Sequence, residues 1–185
     1  PWVQELAWLE ADLAATDRLW TVVACHFPVY CDGNYDSDTN GPLKLLREAL
    51  VPVLDRHGVD LYLAGHDHTY QRSYLIRGHT GTRDTYLADE HLVSRSSGRD
   101  EPIRKGHGPH TGTVYIVSGT GSGTRPTGDF QHPVMVPFQT DSGTQRGIAR
   151  PGSFVLEIEG ALLEGWQVDD TGLPLDHFRV SKVAR

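Results

Sequence analysis

Residues 65–72 read GHDHTYQR and follow directly on the apolar run VDLYLA at 59–64. Six mostly apolar residues between Gly58 and Gly65 predict a buried strand. In a strand, residues i and i+2 face the same way. His66 and His68 are therefore expected to aim two imidazoles at one spot, with Asp67 turned to the other face. Such a pair suits a metal ion. With ten histidines in 185 residues, one His-x-His pair is unsurprising on composition, so the competing reading is two surface histidines at a strand end.

Upstream residues favour the metal. Residues 43–57 place Leu43, Leu46, Leu50 and Leu54 on one helical face, with Pro52 as an expected kink and Gly58 suited to the position after the helix. Residues 19–25 are apolar and barely alternate, which predicts a second buried strand running into His26-Phe27-Pro28. Strand, helix and strand in this order form a parallel crossover. Ligand sites of parallel sheets gather at the C-terminal strand ends, where His26 joins His66 and His68. Three imidazoles suit zinc, iron or manganese without choosing among them. Without well-placed cysteines, an open catalytic site fits better than a closed structural zinc site.

The bulk numbers are those of a folded globular chain: 38% hydrophobic, 22% charged, formal net charge −7. No Lys/Arg stripe supports nucleic-acid binding. No apolar run approaches the roughly 18–20 residues that span a bilayer. The first residue is Pro1 and the single methionine is Met135, so the chain is expected to begin inside a longer protein. Cys25 reads as a buried free thiol, and a Cys25–Cys31 bridge stays open. The compartment is not legible.

Elsewhere, residues 2–15 carry Trp2, Leu6, Leu9 and Leu13 on one helical face. Residues 78–112 and 120–152 read as two irregular excursions separated by a strand at 113–119. Residues 153–160, 161–170 and 176–183 predict three antiparallel strands turning at Gly160 and around Asp170-Thr171-Gly172. The Gly-rich 118–124 lacks the Lys-Ser/Thr of a phosphate-binding loop and reads as a turn at the rim. Tyr70 and Arg72 read as bracing residues. His107 and His110 read as part of a solvated loop, and His57, His79, His91, His132 and His177 show no partner pattern.

As an ordered set, VVACHFPVY (22–30), GHDHTYQRS (65–73), VYIVSGTGS (114–122) and DDTGLPLDHF (169–178) resemble calcineurin-like metallophosphoesterases, in the purple acid phosphatase branch. The resemblance implies an α/β (α+β) four-layer metallophosphoesterase fold, a β-sandwich flanked by helices. It implies two divalent or trivalent metal ions (Fe, Zn or Mn), with His26 and His66 on one and His68 on the other. It also implies hydrolysis of a phosphoester substrate by metal-bound hydroxide, and allows a secreted or periplasmic setting.

The first-half motifs of the family, G-D, G-D-x-x-Y and G-N-H-E, are expected before residue 22 and do not occur there; the single Gly-Asp pair is Gly128-Asp129. Residues 1–185 therefore read as the C-terminal half of one catalytic domain, with the N-terminal half as a missing partner and the isolated chain inactive or nearly so. Relatives often place phosphate-binding histidines nine and ten residues past the first ligand. Tyr35 and Asp36 stand there instead, as candidate substrate-binding residues; Asp36 would repel a phosphate dianion unless it is protonated or binds metal, and its competing reading is solvation of the loop. The alternative function is a non-catalytic metal-binding or interaction module.

Overall fold

A computed structural model describes residues 2–182; Val183, at the end of the third predicted C-terminal strand, lies outside them. Helices α1 (Val3–Ala15) and α2 (Gly41–His57) are joined later by a single turn, α3 (Ala88–His91). The strands are β1 (Val22–Cys25), β2 (Leu61–Ala64), β3 (Tyr70–Arg72), β4 (Leu75–Ile76), β5 (Leu92–Ser94) and β6 (Ile103–Lys105). They continue as β7 (Val114–Ser118), β8 (Phe138–Thr140), β9 (Gly143–Gln145), β10 (Gly152–Glu159), β11 (Leu162–Asp169) and β12 (Pro174–Lys182).

Two four-stranded sheets form a sandwich. The first has the order β1-β2-β7-β3, with β1, β2 and β7 parallel and β3 antiparallel to β7. The second has the order β10-β11-β12-β6. Alternation along β2 and β7 sorts the core into two layers. Tyr62, Ala64 and Tyr115 pack with Leu46, Leu50 and Leu54 of α2. Leu61, Val114 and Ile116 pack against Leu163, Phe178 and Val180 of the second sheet. Helices and two mixed sheets are three of the four expected layers.

Helix α2 begins two residues before the predicted start. Asn40 caps it by accepting from the Leu43 N–H, Pro42 sits in the first turn, and the helix continues through Pro52. It ends at Gly58, whose φ of +64° is left-handed. A Cβ on Gly58 would lie 2.1 Å from the Gly108 carbonyl oxygen. Gly58→Ala should therefore lower stability by about 1–3 kcal/mol, read as a drop in the urea midpoint at unchanged slope.

Several expectations are corrected. The strand predicted at 19–25 begins only at Val22, and β1 is half-exposed rather than buried, because it is the edge of its sheet and α1 covers one side. Cys25 is partly exposed, Cys31 is the buried cysteine, and both are free thiols. The stretch 78–112 contains β6, which joins the second sheet in parallel with β12. The stretch 120–152 is not all surface either: Phe130, His132, Val134, Met135 and Val136 are buried, and β8–β9 form a hairpin.

Two carboxylates are buried between cations. Asp176 lies between the sheets and accepts from Arg72 Nε (2.7 Å) and Nη2 (3.2 Å), Arg99 Nε (2.9 Å) and the Tyr70 hydroxyl (2.9 Å). Asp60, at the N-terminal end of β2, faces Lys105 (3.4 Å) and Lys182 (2.7 Å) and accepts from the Thr21 N–H (2.7 Å). Tyr70 and Arg72 are thus bracing residues, as the sequence reading expected. The Gly-rich turn after β7 is likewise structural, with the Thr120 hydroxyl donating to the Gly152 carbonyl at 3.0 Å.

Candidate metal centre

The site is at the C-terminal ends of β1 and β2, which the Gly65 N–H to His26 carbonyl bond (3.1 Å) ties together. The strand stops at Ala64, and residues 65–69 form a turn. His66 has a left-handed φ of +62°, and the Asp67 N–H reaches back to the Gly65 carbonyl at 2.7 Å. His66 and His68 are therefore not paired by strand alternation. His66 is turned instead toward His26, with His66 Nδ1 3.3 Å from His26 Nε2.

Aromatic rings hold His66 in this pose. Tyr35 stacks on it with centroids 4.3 Å apart and planes 17° from parallel, and the Phe27 ring meets it edge-on at 4.8 Å. The Tyr62 hydroxyl donates to the Phe27 carbonyl at 2.6 Å, anchoring the segment that carries His26. Partial burial, reinforced by His26, pulls the His66 pKa below its ordinary value. This favours the neutral imidazole, the form that binds metal.

Two nitrogens on one tetrahedral metal at about 2.0–2.1 Å stand about 3.4 Å apart. The 3.3 Å separation of His26 and His66 therefore fits two ligands of one ion. His68 is half-buried one step along the turn, with its backbone N–H donating to Asn34 Oδ1 at 2.9 Å. Among the described residues, no three His, Cys, Asp or Glu side chains close on one metal-sized point. The histidine pair fits the imidazole share of a centre, whose anionic share would come from other groups.

Nearby carboxylates are already engaged. Asp67 is fully buried and its Oδ2 accepts from the backbone N–H groups of Gly33, Asn34 and Tyr35. Arg83 gathers the acidic loop, pairing with Asp32 (3.2 Å), Asp36 (3.0 Å), Asp38 (3.0 Å) and Asp129 (3.7 Å). Burial pushes the Asp32 carboxyl up to about 6, with Asp129 beside it. Burial acts the same way on Asp38, but His132 and Arg83 hold it well below the usual carboxylate range. Asp36 is therefore one of four carboxylates that share the Arg83 guanidinium.

His110 pairs with Asp55 of α2 at 2.5 Å, near the N-terminal edge of the sheet and away from His26. His132 and His79 are buried, and His177 stacks on Trp166 with centroids 4.9 Å apart. Sequence reading missed three residues that shape the site: Asn34, Asp67 and Arg83. Asp67 carried a signal, because a carboxylate between two histidines needs donors. Arg83 carried none, as an isolated cation in an irregular stretch.

Comparison with known proteins places this geometry. Residues 1–70 match the family model of the calcineurin-like phosphoesterases. Human tartrate-resistant acid phosphatase type 5 is 29% identical over 182 residues, covering 98% of this chain and 43% of that protein. An uncharacterised Mycobacterium tuberculosis protein is 32% identical over 134 residues, 70% of this chain and 23% of its own length. Among solved structures, a purple acid phosphatase from yellow lupin seeds superimposes with a TM-score of 0.64 at 19% identity, over 98% of this chain and 29% of that one. GAP50, the anchor in the inner membrane complex of Plasmodium, gives 0.60 at 15% identity, over 98% of this chain and 43% of that one.

Residues 1–70 are calcineurin-like phosphoesterase sequence. The chain as a whole is purple acid phosphatase-like, sharing that fold and similar in sequence to the tartrate-resistant acid phosphatases. It spans less than half the length of each of these relatives. The family implies a dinuclear metal centre.

Proposed function

We propose that this chain supplies the imidazole share of a dinuclear metallophosphoesterase site that hydrolyses phosphate monoesters, and less readily diesters. The observation that supports this reading is the His26–His66 pair, 3.3 Å apart at the ends of two parallel strands. His26 and His66 would hold one ion and His68 the other, the ions being iron, zinc or manganese. When bound, such a centre supplies Lewis-acid polarisation of the phosphoryl group and a nucleophile at neutral pH. The chain's own residues orient and screen. Phe27 and Tyr35 shield His66, Tyr35 offers a hydroxyl to a phosphate oxygen, and Arg83 offsets part of the charge that Asp36 and its acidic neighbours set against the substrate.

We further propose that residues 1–185 act as the C-terminal half of one catalytic domain. The complementary half would pair with the open edge of β1 and cover the apolar groove lined by Trp2, Trp8, Leu9, Trp20, Val23 and Phe27. It would also bring the carboxylate ligands, so the chain by itself should hydrolyse little. The second reading is an interaction module, favoured by the fold's occurrence in a protein described as an anchor.

Calorimetric titration with Zn2+ and Mn2+ tests the site. One weak site per chain is expected, and His26→Ala should weaken it at least about tenfold. Equal affinity in the variant would remove His26 from the ligand set. Absence of metal binding at any concentration, with the fold intact, would favour the module.

A further inference from the structure

Asp67 is one of the most constrained side chains near the site, and the proposed chemistry gives it no part. Its Oδ2 sits in a concave nest of three consecutive backbone donors, Gly33 N (3.2 Å), Asn34 N (2.9 Å) and Tyr35 N (3.2 Å). Its Oδ1 accepts from the Thr69 hydroxyl at 2.6 Å, which in turn accepts from Gln71 Nε2 at 2.9 Å. The carboxylate is fully buried. A second bond closes the same joint: Asn34 Oδ1 accepts from the His68 N–H at 2.9 Å. Gly33 makes the approach possible, since a Cβ there would lie 2.5 Å from Asp67 Oδ1 and 2.6 Å from the Thr69 side chain.

We propose that Asp67 is a positioning residue: by binding the backbone of residues 33–35 it seats the Tyr35 ring on His66, and so fixes the imidazole that faces His26. The two loops come from distant parts of the chain, Tyr35 and Asp67 being 32 positions apart. Without the nest, three N–H groups would have to be met by water, and the loop would no longer hold Tyr35 at 4.3 Å from His66. Asp67 touches neither metal nor substrate; it acts through Tyr35. The metal-affinity part of the proposal rests on the reading of His66 as a ligand, whereas the positioning part does not.

The test is the proton spectrum of the His66 ring in the metal-free chain, with Tyr35→Leu defining the signal. The face of Tyr35 should shift the His66 ring protons upfield, and Tyr35→Leu should abolish that shift. Asp67→Ala should abolish it equally, while Asp67→Asn, which keeps one acceptor oxygen, should retain at least half. An undiminished shift in folded Asp67→Ala overturns the proposal, as does loss of the shift in folded Asp67→Asn to the same extent as in Asp67→Ala. Should Asp67→Ala not fold, Gly33→Ala crowds the carboxylate from the other side and must itself lose the shift; retention there overturns the proposal. In a second readout, the Zn2+ affinity of Asp67→Ala should fall about tenfold. If the parent chain binds no Zn2+, the functional reading fails, and the spectrum still decides the role of Asp67.

Discussion

Asp176→Ala is expected to destabilise the chain by about 3–5 kcal/mol, a large share of the roughly 5–15 kcal/mol that holds a folded domain. The carboxylate is fully buried and is shared by Arg72, Arg99 and Tyr70. The Arg72 side chain is itself fully buried, its guanidinium lying 4.4 Å from the centre of the Phe178 ring. Removing the anion leaves that cation uncompensated between the sheets, and this desolvation dominates the loss. Equilibrium urea unfolding measures it, and a loss below about 1 kcal/mol would show that water reaches the network. Replacing the cation as well, in Arg72→Met/Asp176→Leu, should recover much of the deficit, since an apolar pair of similar volume leaves no bare charge there.

The pH dependence of this network has a definite sign. Burial alone would raise the Asp176 carboxyl, but Arg72 and Arg99 hold it below its ordinary value of 3.8. A depressed acid contributes stability above its unfolded pKa and loses it as pH falls through the folded one. The advantage of the parent chain over Asp176→Ala should therefore be constant above about pH 5 and shrink below about pH 4.

Asp60→Ala should cost a similar amount, about 3–5 kcal/mol at pH 7, because it strands two cations. Lys105 is 1% exposed and Lys182 is 9% exposed. Burial pushes the Lys105 ammonium down to about 8, and Asp60 opposes that fall. Between pH 8 and the ordinary lysine value of 10.5, the unfolded chain binds the extra proton, so stability from this group rises with pH. Without Asp60 the folded-state pKa falls further. The deficit of Asp60→Ala should therefore narrow between pH 7 and pH 9, because Lys105 is then largely neutral in both proteins. A deficit that widens over this range would mean that Lys105 is not a source of the loss.

The sequence disclosed the parts of the fold whose signals are local. Helix α2 follows from its leucine spacing and Gly58, β2 from an apolar run of strand length, and the β10–β12 meander from alternation punctuated by tight turns. The place of His26 and the Gly-His-Asp-His segment at neighbouring strand ends was legible because an apolar strand runs into each of them. What stayed hidden depends on partners far along the chain. Strand β6 has three residues and becomes a strand through β12, which lies about 70 residues later. Val134, Met135 and Val136 are buried by contacts that no periodicity announces. The left-handed His66 broke the strand alternation on which the pairing of His66 with His68 was argued. Asp36 pairs with Arg83, whose sequence surroundings carry no pattern.

The Arg72–Asp176 pair joins residues 104 positions apart, and this has a consequence for biosynthesis. At ribosomal rates of about 5–20 residues per second, Arg72 emerges about 5–20 s before its partner. During that time its guanidinium must remain hydrated, so the inner face of the first sheet cannot close while the chain is still growing. Vectorial folding is thereby held to the helix-covered layer, and the sandwich waits for its last strand.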